Sequence, residues 1–335
     1  MMSMRPIEKY FHQGQLHKHA DLRAIKCLEM ACFFKNTRHA LGATQILVQR
    51  HNTNMPDFSP QQDSHGTVGA QYALAVLGFG KLASAIVRGC VSTGVLNPSD
   101  IVVWARSDAR MAQAHSMGLK LVDMNTCAQS GHALLLSIKP QYFSELAPQL
   151  CVNAGTNVIS VMAGWSAEHI GARLKVKHVI RAMPNVAAQV QAAVTALSIP
   201  QECPAPAREF AMKLFSSVGR VELLHESHLN AATAISSSGI AYLCLFIEAL
   251  ERAALQLGLP KDVAKNLSLD VLQGVAKSAS AGAFDAAALR ASVTSPNGTT
   301  AAALAVLDAG EFSQLIARAA QAAKDRSAQL GQSNQ

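Results

Sequence analysis

Residues 72–90 read YALAVLGFGKLASAIVRGC, and the order of these residue types decides the fold. The short apolar run 73–77 is too brief for a helix of ordinary length and stops at a glycine, as a buried strand does. Gly78, Phe79, Gly80, Lys81, Leu82 and Ala83 then form a GxGxxA turn, and apolar spacing through Ile86 and Val87 predicts a helix after it. The first glycine permits a tight turn and the second lets backbone approach a pyrophosphate. The small third position lets helix pack on strand, and the helix N-terminal amides face the phosphates. Such a turn is a weak signal by itself. Its place between a strand and a helix makes it a dinucleotide-binding signature.

The pattern continues outward from this unit. Apolar runs at 101–105, 119–122, 133–138, 157–161 and 177–180 alternate with amphipathic stretches, which predicts βαβ units and a mostly parallel, Rossmann-like sheet. A further strand is expected over VELL (221–224). From about residue 226 the spacing changes to threes and fours, with Gly258 and Pro260 as stops, so the C-terminal third is expected to be all helical. The domain reading is an extension over 1–70, a dinucleotide-binding domain over 71–225 and a helical domain over 226–330. The extension contains six histidines without a ligand spacing and is expected to lack regular structure, with Met55 as a candidate start.

Composition narrows the classes. The chain has 335 residues, half of them hydrophobic, enough for two cored domains. A formal charge of +7 could suggest nucleic acid, yet Lys and Arg form no stripe and aromatic residues are 5%. A preference for anionic small molecules is the simpler reading. Seven scattered cysteines without metal spacing point to reduced thiols and a cytoplasmic location. No uninterrupted apolar run reaches about 18 residues, so no membrane span is expected.

Candidate cofactor residues follow from the strand ends. Where an NAD site commonly offers a carboxylate to the ribose, this chain reads Trp104-Ala105-Arg106-Ser107. Arg106 and Ser107 suit a 2′-phosphate through charge-assisted hydrogen bonds, which favours NADP(H), with NAD(H) as the alternative. Ile138, Lys139 and Pro140 close the 133–138 run, and Met162, Ala163 and Gly164 close the next; both lie where open α/β sheets bind ligands.

These segments, with RAMPN (181–185), FSSVG (215–219), GLP (258–260) and VTSPNGTT (293–300), together resemble the pyrroline-5-carboxylate reductase family over roughly residues 72–330. The resemblance implies a Rossmann domain holding NAD(P)H, a helical domain that dimerises by interleaving helices, and in some members rings of dimers. It implies reduction of 1-pyrroline-5-carboxylate to L-proline, by hydride transfer to a protonated cyclic imine. SPNGTT offers successive backbone amides and two hydroxyls at an expected helix start, suited to the substrate carboxylate. By resemblance Val293, Ser295, Gly298, Thr299 and Thr300 bind substrate, with the Thr300 hydroxyl near the ring nitrogen, and Ser238 borders the pocket. Glu226 matches a pocket-lining glutamate and is assigned with Thr300 to the catalytic pair. Asn125, Ala163 and Gly164 map to cofactor contacts.

Family members commonly read SGSGPAY where this chain has SSSGIAY (236–242), and PGGTT where it has PNGTT (296–300). The serine-rich stretch is expected to begin a helix. On that reading Ile240 forgoes a proline at the first helical position. Ser237 costs on the order of 1 kcal/mol if the backbone there needs a positive φ. Two alternatives follow from these changes: a diverged homologue reducing another small imine or carbonyl acid, and an NADP-binding protein with little turnover.

Overall fold

The computed structural model describes residues 71–332, so the expectations for residues 1–70 lie outside the described residues. The strands are β1 (Tyr72–Leu77), β2 (Ile101–Trp104), β3 (Lys120–Leu121), β4 (Gly131–Leu136), β5 (Asn157–Ser160), β6 (Val179–Pro184), β7 (Ala193–Ser198) and β8 (Gly219–Leu223). They form one sheet in the order β3-β2-β1-β4-β5-β6-β7-β8. β1 to β6 run parallel; β7 pairs antiparallel with β6, and β8 runs parallel to β7. The strand over 193–198 was not anticipated, and of VELL the first three residues, Val221 to Leu223, enter the sheet in β8.

The continuous apolar runs have a physical cause: the central strands are covered on both faces. Successive side chains alternate, so Leu74 and Val76 of β1 enter one core and Ala75 and Leu77 the other. The first core takes Ile86 and Val87 from α1 (Lys81–Ser92) and Phe215 from α6 (Ala205–Ser216). The second takes Phe143 from α4 (Pro140–Leu146) and Trp165, which precedes α5 (Ala167–Leu174). Two short helices complete the early units: α2 (Asp108–Ser116) after β2 and α3 (Met124–Ser130) before β4.

After β8 the chain is helical, as expected. α7 (Leu229–Ala232) passes through a π-helical turn, Thr233–Ser237, into α8 (Ser238–Gln256). Then come α9 (Lys261–Ser280), α10 (Ala286–Ser292), α11 (Thr299–Ala309) and α12 (Phe312–Gln332). This part buries little within one protomer. α8 and α11 contain no buried residue, and α9 has only Ala264 and Ser268. Leu245 is 65% exposed and Val306 is 73% exposed. A helix apolar over this much of its surface requires another surface to cover it.

The serine-rich stretch needs a correction. It does not begin a helix; it lies inside one that runs over Glu226–Gln256. Ser237 has φ −93° and ψ −53°, so its backbone is helical and no positive φ has to be met. Ile240 likewise occupies a helix interior, not a first helical position. In an uninterrupted α-helix the Ser236 carbonyl would take the N–H of residue 240, which a proline lacks. At the π turn that carbonyl accepts from Asn185 Nδ2 at 2.9 Å, a bond from the end of β6 that serves either residue at 240.

Candidate active site

The sheet reverses its order between β1 and β4, and the crevice at their carboxyl ends is where such sheets take a ligand. Gly78 turns there with φ +96°, and a Cβ at this position would stand 2.7 Å from the Ser137 carbonyl oxygen and 2.9 Å from Ile138 Cγ2. Only glycine fits, because both the backbone angle and the space exclude a side chain. Phe79 is 2% exposed, so its ring belongs to the core and only its backbone faces the turn. Gly80 caps α1 in extended conformation, without a side-chain cap and with no acidic residue in the first turn. The leading amides of α1 therefore remain for an anion, with Lys81 and Leu82 beside them.

Arg106 and Ser107 lie at the end of β2. Ser107 is the N-cap of α2, yet its hydroxyl makes no cap bond. The Arg106 guanidinium lies over the Tyr142 ring, 4.0 Å from its centroid. Lys139 caps α4 and Pro140 fills its first position. Asn125 is committed in part to structure, since its Oδ1 accepts from the Cys151 N–H at 3.0 Å.

The turn after β5 is held from two sides. Arg181 Nη2 donates to the Met162 carbonyl at 2.7 Å, and Nη1 lies 3.5 Å from Glu226 Oε1. That carboxylate oxygen also accepts from the Ala167 N–H at 2.8 Å, at the start of α5. Arg181 is 5% exposed. Burial pulls its guanidinium below the ordinary arginine value, and the Glu226 charge opposes that shift. Ala163 and Gly164 sit between these anchors. Gly164 has φ +76°, and a Cβ there would come within 2.8 Å of the Leu330 backbone, so the end of α12 rests directly on this turn. Arg181, which the sequence reading quoted without a role, thus joins Glu226 to the turn. A buried arginine at a strand end signals partners, but sequence does not say which.

SPNGTT forms the start of α11 as expected. Asn297 adopts φ +60°, Gly298 is the N-cap, and Thr299 and Thr300 lie in the first helical turn. Asparagine tolerates this left-handed angle better than most residues. A Cβ at Gly298 would meet the Ser295 hydroxyl, which would have to turn away, and would stand 3.1 Å from the Ser295 carbonyl oxygen. Val293 is 59% exposed. The cleft beside Glu226 is lined by Gly164, Ser166, Arg181, His225 and Asn230 among others, and by no residue of SPNGTT. Ser238 is half-buried in α8. In the described protomer Gly78 meets Ile138 and Arg106 meets Tyr142, whereas SPNGTT lines no part of the cleft beside Glu226.

Comparisons with known proteins accord with this geometry. Residues 226–330 match the family model described as pyrroline-5-carboxylate reductase dimerisation. Residues 73–164 match one described as NADP oxidoreductase coenzyme F420-dependent. The chain is 34% identical over 261 residues to the pyrroline-5-carboxylate reductase of Synechocystis sp., spanning 77% of this chain and 98% of that one. With the Thermus thermophilus enzyme of the same name it shares 33% over 268 residues, 78% and 99% of the two chains. The solved structure of a pyrroline-5-carboxylate reductase from Coxiella burnetii aligns with TM-score 0.70 at 31% identity, covering 78% of this chain and 98% of that chain. The exposed apolar helices fall within the dimerisation match. Glu226–Gln256 is long and apolar enough to cross a membrane by composition, with mean hydropathy 1.5, and that match accounts for its surface as one made for a protein partner.

Proposed function

The chain belongs to the pyrroline-5-carboxylate reductase family, and on that premise we propose that it reduces 1-pyrroline-5-carboxylate to L-proline with NADPH. The observation that carries the reading is one chain holding both a glycine crevice at the sheet's reversal point and two threonine hydroxyls on the first turn of α11. The crevice fits a dinucleotide: a Cβ at Gly78 would fill it, and the uncapped start of α1 presents amides to a pyrophosphate. Gly78 to Leu82 hold the diphosphate, Arg106 and Ser107 read a 2′-phosphate, and Asn125, Ile138, Lys139, Pro140, Ala163 and Gly164 border the nicotinamide side. When bound, the cofactor supplies the hydride.

The protein's own work is orientation and proton placement. The amides of the SPNGTT turn, with Ser295, Gly298 and Thr299, hold the substrate carboxylate; Val293 and Ser238 border the ring. The Thr300 hydroxyl is assigned a place near the ring nitrogen, where it passes a proton from solvent to the imine, directly or through water, and so makes the carbon electrophilic. No nucleophile is required, because positioning the imine carbon against the hydride donor supplies most of what the reaction needs. Glu226 acts on this site through the backbone it binds, by fixing the Met162–Gly164 turn with Arg181.

We place the domain boundary near residue 225, with residues 71–225 as the cofactor domain and 226–330 as the substrate and dimer domain. A second copy covers α8, α9 and α11 and closes the pocket, giving a homodimer that assembles further into a ring. Reduced cysteines favour the cytoplasm. The test of the site is Thr300→Val. It should lower kcat by about a hundredfold while the Kd for NADPH stays unchanged, since general acid–base groups contribute on the order of 10² or more. Full turnover in this variant removes Thr300 from the mechanism.

A further inference from the structure

We propose that Tyr142 is a positioning residue for cofactor choice: its ring is the platform that holds the Arg106 guanidinium where an adenosine 2′-phosphate is read. The inference rests on the NADPH reading above and adds to it a residue that the motif analysis did not single out.

A guanidinium is planar, with two faces and an edge of N–H donors. Tyr142 covers one face, with Arg106 Cζ 4.0 Å from the ring centroid. The edge remains for phosphate oxygens and the second face for a flat base. An exposed arginine without such a platform would spend rotamer entropy on every binding event; stacking it in advance removes part of that cost.

The platform is itself rigidly mounted. Phe143, the next residue, is fully buried and meets Trp165 edge-on, with centroids 4.7 Å apart. The Trp165 indole N–H donates to the Pro140 carbonyl at 3.1 Å, and the Tyr142 N–H donates to the Lys139 carbonyl at 2.9 Å. Ile138 at the start of the same short segment borders Gly78. One stretch of five residues therefore touches both the glycine that admits the pyrophosphate and the cation offered to the 2′-phosphate. Groups held this way on fixed elements keep their spacing without the ligand.

The test uses the full chain and two probes that differ at the 2′-phosphate, adenosine 2′,5′-bisphosphate and adenosine 5′-monophosphate, titrated calorimetrically. Tyr142→Ala should weaken the bisphosphate by about two- to fivefold, the range of an exposed cation–π contact, and leave the monophosphate unchanged. Tyr142→Phe keeps the ring and should restore bisphosphate binding. Arg106→Ala should weaken the bisphosphate more, with no further loss in the double variant. Unchanged discrimination in Tyr142→Ala alongside a selective loss in Arg106→Ala overturns the platform alone. Equal loss of both probes in Arg106→Ala overturns the phosphate reading of Arg106 and the platform with it. A Tyr142→Phe variant as weak as Tyr142→Ala assigns the effect to the hydroxyl and refutes the ring. None of these outcomes depends on whether pyrroline-5-carboxylate is turned over.

Discussion

Replacing Glu226 with alanine should destabilise the protein and disorganise the Met162–Gly164 turn, because it strands Arg181. The arginine side chain is 6% exposed and the Glu226 side chain 35% exposed. Removing one member of a fully buried pair costs about 3–5 kcal/mol. Solvent reaches this carboxylate, so the cost falls to about 2–3 kcal/mol once that screening is counted. For a protein of this size that lowers Tm by roughly 4–5 °C. Glu226→Gln keeps an oxygen for the Ala167 N–H and loses only the charge, for about 1 kcal/mol. Thermal melts of the two variants, with kcat and the KM for NADPH measured below their Tm, separate a clamp from a chemical group. The clamp predicts that KM and Tm change together and that Glu226→Gln retains most of kcat. A normal Tm in Glu226→Ala, or a hundredfold fall in kcat for Glu226→Gln at unchanged stability, refutes the reasoning.

Two further outcomes follow from the structure. Asp123 caps α3 by accepting from the Asn125 and Thr126 amides and from the Thr126 hydroxyl, and the Thr126 side-chain bond is the largest cause of its lowered pKa. A depressed carboxylate stabilises the fold above its unfolded pKa and loses that contribution as pH falls through the folded one. The Tm gap between wild type and Asp123→Ala should therefore be present at pH 7 and shrink as the pH drops below about 4. A gap that does not change with pH contradicts the cap's charge. Among the described cysteines, burial pushes the Cys90 thiol up to about 11 and Cys127 up to about 12, whereas Cys151 and Cys244 are exposed in the protomer. Brief alkylation followed by peptide mapping should modify Cys151 and spare Cys90 and Cys127. Cys244, on the apolar α8, should become reactive only when dilution separates the dimer. Fast labelling of Cys244 in the assembled protein would place the dimer surface elsewhere.

Much of the fold was legible because its signals are local. β1 followed by the GxGxxA turn, the double-sided apolar runs, and the change of period near residue 226 each depend on neighbouring residues. β7 was missed because AVTALS carries the weak apolar content of its alanines, and its antiparallel pairing with β6 is a tertiary fact. The serine-rich stretch was misread as a helix start because serine and glycine are commoner at ends than in interiors. The helix continues through it because α12 and the Asn185 bond hold that turn from outside. At the site, the glycine crevice and the α11 start came from motif spacing. The roles of Arg181 and Tyr142 depend on partners brought close only by folding, and neither shows a pattern of its own in the sequence.

The reaction itself is tested with purified protein, NADPH and 1-pyrroline-5-carboxylate, following NADPH absorbance and quantifying L-proline. One NADPH should be consumed for each L-proline formed, at a rate that saturates with both reactants. No proline above the enzyme-free control, with the protein folded and NADPH bound, would contradict the proposed reaction.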